Sequence, residues 1–156
     1  MARRDYYYDP AAPQANSIVV AVTVFAQDDE GRVLLIHRSD NDLWSLPGGA
    51  QEVGEDIRGT AVRETREETG VEVRVTGLVG IYSNPNHVVA YDNGEVRQQF
   101  AICLRARSAG GNLATSSESV DVRWVRRDEL ESLSMHPSTR IRVSHGYDHD
   151  GKPYIG

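Results

Sequence analysis

The sequence predicts an α/β domain with a mixed sheet and helices on both faces. Three observations carry that expectation. Apolar, β-branched runs flank one well-punctuated helical segment, and the elements run strands, helix, strands, helix. In addition, 156 residues suit one domain and leave little room for a second. Apolar residues make up 39% of the chain and charged residues 26%, a balance that favours a packed core over disorder.

Met1 to Asn16 reads as an arm, polar and aromatic and carrying Pro10 and Pro13, ahead of a single domain over 17–156. Its Tyr6-Tyr7-Tyr8 string fits packing on a domain surface better than stacking on a base. Ser17 to Ala26 (SIVVAVTVFA) is a buried strand, and after the polar turn Gln27 to Arg32 a second strand, Val33 to His37, should return as a hairpin. The string LWSLPGG, Leu43 to Gly49, stops regular structure. A helix should then start at an Asp56 N-cap and end at Gly70 in the C′ position. Val71 to Tyr82 reads as strand broken by Gly77 and Gly80, and Ser83 to Gly94 as a loop marked by Asn84-Pro85-Asn86 and Asp92-Asn93-Gly94. A strand over Val96 to Arg107, a small-residue loop over Ala109 to Ser119 and a short strand over Val120 to Val125 follow. Short helices are expected over Arg127 to Leu133 and Pro137 to His145.

The net charge of −6 is a poor match for a nucleic-acid polymer, which is held by clustered Lys and Arg. A small phosphate compound remains compatible where a metal ion reverses the local charge. The one cysteine, Cys103 in FAICL, excludes an intrachain disulfide and reads as a buried structural thiol. No run approaches the roughly 20 apolar residues of a membrane span, and the Arg3-Arg4 pair precedes no hydrophobic segment, so a cytoplasmic protein is the expectation. His136, His145 and His149 have no zinc-like spacing, and no GxxxxGK[ST] string marks a P-loop.

The chemistry concentrates in GGAQEVGEDIRGTAVRETREETGV, Gly48 to Val71. At 3.6 residues per turn, Glu64, Glu67 and Glu68 project from one side of the helix, while Ala61, Val62, Thr65 and Thr69 project from another that can pack on a sheet. RETREET alone would suit a solvated helix face. Its flanks argue for more: Gly48-Gly49 allows close backbone approach, and Arg63 is spaced to pair with a carboxylate and fix its rotamer. Clustered carboxylates without His or Cys match a hard divalent ion, Mg²⁺ or alternatively Mn²⁺.

This segment resembles the signature of the Nudix hydrolases. That pattern falls on Gly49, Glu55, Arg63-Glu64, Glu67-Glu68, Gly70 and Val71, with Thr65 in place of an aliphatic residue. WSLPGG and ESVDVRWVRRDEL extend the likeness over most of Ser17 to Leu133. The resemblance implies a Nudix-like α/β/α sandwich and hydrolysis of the diphosphate linkage of a nucleoside diphosphate joined to another moiety. It implies Glu64, Glu67, Glu68 and the Gly49 carbonyl as metal ligands, with Arg63 and Glu55 as orienting residues. Glu64, Glu67 or Glu118 is the candidate base. Arg38, His87 and one of Arg97, Gln98 and Gln99 are weaker candidates for the pocket. A (deoxy)nucleoside triphosphate or modified nucleotide is the favoured substrate. ADP-ribose or a nucleotide sugar is the alternative, and a non-catalytic nucleotide-binding module a second one. The expected partner is this small molecule, with no membrane or nucleic-acid polymer; a homodimer stays open.

Overall fold

The computed structural model describes residues 3–148 and 151–156. Ten strands, two α-helices and one 3-10 helix are present among them. The strands are β1 (Arg3–Tyr7), β2 (Ser17–Gln27), β3 (Val33–Arg38), β4 (Trp44–Ser45), β5 (Gly48–Ala50), β6 (Val71–Tyr82), β7 (His87–Tyr91), β8 (Val96–Gly111), β9 (Ser119–Val125) and β10 (Tyr154–Ile155). The α-helices are α1 (Ile57–Thr69) and α2 (Pro137–Tyr147), and the 3-10 helix spans Arg127–Ser132.

Side chains alternate across a strand, and that period decides the layers. Val22, Val24 and Ala26 of β2 and Leu34 and Ile36 of β3 pack with Ala61 of α1. Their neighbours Phe25, Val33 and Leu35 point the other way, to Leu130 of the 3-10 helix and Val143 of α2. Two cores thus lie on opposite faces of one mixed sheet, with a helix covering each, as the α/β expectation required. At the sheet's centre β2 runs parallel to β8 from Ser17↔Arg97 to Gln27↔Arg107, and β6 flanks β8 antiparallel.

Several local readings need correction. β2 and β3 meet as a pair only at Gln27↔Val33, because β5 takes the Ala21–Thr23 edge of β2 and β9 takes β3 along Val33–Arg38. The 83–94 segment, expected as loop, contains β7, which pairs with β8 and with β1. The arm therefore contributes a strand, Arg3–Tyr7, to the sheet edge. Gly77 and Gly80 do not break β6; the register shifts beside them instead, between Val75/Gly77 and Leu78/Gly80. The Leu43 to Gly49 string carries two short strands, β4 and β5. No helix of the described residues is long and apolar enough to cross a membrane.

Thr65, the one departure from the signature, is fully buried against the sheet, and its hydroxyl has no hydrogen-bond partner among the described residues. An unsatisfied buried hydroxyl costs about 1–3 kcal/mol, and valine has the same outline. Thr65→Val is expected to raise stability by about 1 kcal/mol, a rise in melting temperature of roughly 2–4 °C by calorimetry. An unchanged or lowered midpoint would show that the hydroxyl carries no such penalty.

Candidate active site

The helix that carries the acidic residues is fixed at both ends. The Asp56 carboxylate accepts from the Gly59 N–H at 2.7 Å, and Gly70 closes the helix at φ 76, a left-handed conformation suited to glycine. With Ala61, Thr65 and Thr69 held against the sheet, Glu64, Glu67 and Glu68 are forced toward the loop after β4.

Glu68 lies deepest. It is 5% exposed, and its Oε1 accepts from the Gly48 N–H at 3.1 Å. Burial, then the neighbouring Glu64 carboxyl, push its pKa well above the usual carboxylate range, and the Gly48 N–H offsets only part of that. Gly49 passes directly over Glu64: a Cβ there would lie 2.4 Å from Glu64 Oε1. A side chain at this position would push the Glu64 carboxylate out of its place. Arg63 holds the set together. Its Nε and Nη2 reach the two oxygens of Glu55 at 2.6 and 3.0 Å, while Nη1 reaches Glu64 at 2.9 Å and Glu67 at 3.2 Å. The forked bond to Arg63 draws the Glu55 carboxyl well below its ordinary pKa.

These groups line one groove with Glu118, which enters from the loop before β9. The Glu118 carboxylate has no hydrogen bond or ion pair among the described residues. Every expected site residue except Glu55 is in the groove wall, and Glu55 stands behind it on Arg63.

A family model described as the NUDIX domain matches residues 18–145. The chain belongs to the Nudix family. As a Nudix hydrolase it acts on pyrophosphate bonds. A "MutT-like protein" of Streptomyces ambofaciens is 36% identical over 155 residues, covering 94% of this chain and 92% of that one. A "Nucleoside triphosphatase NudI" of Enterobacter sp. is 31% identical over 101 residues, 63% of this chain and 72% of the relative. Among solved structures, a Nudix hydrolase from Nitrosomonas europaea superposes with a TM-score of 0.71 at 22% identity, covering 92% of this chain and 80% of that one, which shows the shared fold.

The family generally uses a divalent metal. The Nudix groove fits one: its donors are oxygens, no His or Cys stands among its wall residues, and the crowded Glu64 and Glu68 carboxyls would be relieved by a cation.

Behind the groove lies a deeper cleft that shares Arg3, Arg38, Gly48 and Gly49 with it. Sequence reasoning placed Gln99 and His87 only loosely; both line this cleft. Arg97 instead pairs with Glu95, and Gln98 reaches the Ser83 carbonyl. Sequence reasoning missed Arg3, Asp5 and His136. Asp5 accepts from Arg3 at 3.1 Å and faces His87 Nε2 at 3.2 Å, and His136 stacks on His87 at 4.9 Å. These contacts are tertiary, and no local string announces them.

Asp5, His87 and His136 approach closely enough to suggest a second metal set. The His136 tautomer argues against it. His136 caps α2 by accepting the Ser138 N–H on Nδ1 at 3.1 Å, and burial lowers its pKa, so the neutral ring carries its proton on Nε2. That nitrogen has no lone pair to give a metal.

Proposed function

We propose that the protein is a Mg²⁺-dependent pyrophosphohydrolase of (deoxy)nucleoside triphosphates or modified nucleotides, with Mn²⁺ as an alternative ion. The observation that carries this reading is the convergence of Glu64, Glu67, Glu68 and the Gly49 backbone on one groove that opens into a cleft lined by Arg3 and Arg38. Glu64, Glu67, Glu68 and the Gly49 carbonyl would hold the ion. When bound, it supplies charge neutralisation for the diphosphate oxygens and lowers the pKa of an attacking water.

The chain's own residues do the rest. Arg63 and Glu55 fix the rotamers of Glu64 and Glu67, so the carboxylates are in place before substrate arrives. Arg3 and Arg38, at the junction of groove and cleft, meet phosphate oxygens beyond the reach of the glutamates. Glu118 is the candidate base, because its carboxylate is in the groove wall with no hydrogen bond or ion pair among the described residues, whereas Glu64 and Glu67 are each engaged by Arg63. A triphosphate is favoured over ADP-ribose or a nucleotide sugar because the chain is compact, without large insertions to enclose a second moiety. The relative from Enterobacter carries the matching name. A non-catalytic module is disfavoured because every signature carboxylate is present.

A panel of nucleoside triphosphates, ADP-ribose and nucleotide sugars with Mg²⁺ tests the reading. Pyrophosphate and a nucleoside monophosphate from triphosphates are the expected products. Turnover confined to ADP-ribose or a nucleotide sugar would replace the substrate assignment, and no metal-dependent turnover of any of them would remove it.

A further inference from the structure

Arg142, on α2, is 7% exposed, and among the described residues its guanidinium makes no hydrogen bond and no ion pair. Its guanidinium lies over the face of the Tyr82 ring, 5.0 Å from the centroid. Its Nε is shut from solvent without an acceptor, which is costly to keep, whereas its terminal nitrogens are not closed off in the same way. Arg142 lines the cleft behind the catalytic groove.

Residues with a buried, unpartnered polar atom are concentrated in the wall of this cleft, although those atoms themselves are closed off from solvent. Four buried side-chain polar atoms lack partners among the described residues: Thr23 Oγ1, Ser45 Oγ, Thr65 Oγ1 and Arg142 Nε. Three of the four belong to residues of this cleft, and the fourth is the Thr65 packing defect. The one acid in the cleft wall among the described residues, Asp5, is already bound to Arg3 and His87, so Arg142 pairs with no anion among them. The cleft has a cavity volume of about 140 Å³, well below that of a pocket enclosing a whole drug-sized ligand, so it would take only one part of a nucleotide.

We propose that Arg142 determines base specificity, and that the cleft takes a nucleobase presenting two adjacent hydrogen-bond acceptors to it. The inference rests on the triphosphate reading above and goes beyond it in naming the edge that is recognised. A guanidinium carries donors only, in a planar fork. Two adjacent acceptors occur in guanine, at O6 and N7, and in cytosine, at O2 and N3. Adenine sets its N6 amino group beside N7, and thymine sets N3–H beside its carbonyls, so each would turn a donor toward Arg142. Trp44, Leu46 and Val22 give the cleft aromatic and apolar walls, which suit a planar ring better than a further phosphate. Arg3 and Arg38 stand at the shared mouth, on the side of the diphosphate.

The test is binding of dGMP, dCMP, dAMP and dTMP in EDTA by calorimetry, where no hydrolysis is needed. Binding of dGMP or dCMP, whichever base the cleft takes, is expected to be roughly tenfold or more tighter than binding of dAMP and dTMP. If guanine is the base, 8-oxo-dGMP should bind more weakly than dGMP, because its N7 carries a proton. Arg142→Met should erase the discrimination and raise the melting temperature, since it removes a buried unpaired cation. Equal binding of the four in the wild type, discrimination that survives in Arg142→Met, or a lowered melting temperature in that variant would each overturn the inference. Selective binding without triphosphate hydrolysis would instead count against the proposed reaction and leave this inference standing. Hydrolysis of all four triphosphates with unselective binding would do the reverse.

Discussion

Glu68→Gln and Glu64→Gln are each expected to reduce metal-dependent turnover by on the order of a thousandfold, about 4 kcal/mol of transition-state stabilisation, without unfolding the chain. The fold should survive because the Glu68 side chain is a hydrogen-bond acceptor to the Gly48 N–H, a role the glutamine carbonyl oxygen retains at the same length. The metal site should not survive, because an amide oxygen brings no charge. Linkage supplies a second readout. In the metal-free protein the raised Glu68 pKa means that the native state holds a proton the unfolded chain has lost above the ordinary glutamate value near 4.5. Native thus binds more protons than unfolded, and metal-free stability falls as pH rises from there. Glu68→Gln removes that slope. Added Mg²⁺ should raise the wild-type melting temperature in proportion to the logarithm of its excess over Kd, and do little for the variant. Near-wild-type turnover in both variants, with both still folded, would dismantle the proposed site.

What made these residues readable in advance was that they are local. The helix caps at Asp56 and Gly70, the i, i+3, i+4 glutamates and the glycine pair all lie within one stretch of sequence, and helical geometry alone puts the acids on one side. Strand order was legible only in outline. Which edge β2 offers to β5, β8 or β3 depends on competing partners far along the chain, so the hairpin expected of β2 and β3 shrank to a single pair. His87 illustrates the same limit at the site. In sequence it is one polar residue between turn signals. In the fold it is 6% exposed, because β1 closes over it and Asp5 arrives from 82 residues away. Arg142 carries no sequence signal, since its isolation is defined by what fails to surround it.

Arg63 is the position where a charge-conserving change should still fail. Arg63→Gln is expected to lower kcat, or to raise the Mg²⁺ concentration needed for half-maximal rate, by about 10–100-fold, the usual cost of losing a group that orients metal ligands. One guanidinium serves four acceptors: both Glu55 oxygens, Glu64 and Glu67, with a further bond from Nη2 to the Ala50 carbonyl. Lysine keeps the charge but has a single ammonium at the end of a flexible stem, so it cannot fork onto Glu55 while bridging to the helix acids. Arg63→Lys should therefore recover stability more than activity. With glutamine, the carboxylates of Glu55, Glu64 and Glu67 are left facing one another, which lowers stability modestly because the cluster is solvated. Mg²⁺ should return part of that loss, because it takes over neutralisation of Glu64 and Glu67 but leaves Glu55 unpaired. Melting curves with and without Mg²⁺, set beside Mg²⁺ titrations of the rate, separate the two effects. Arg63→Lys that matches wild type at every Mg²⁺ concentration would show that charge alone is needed there, and that the fork does not orient the acids.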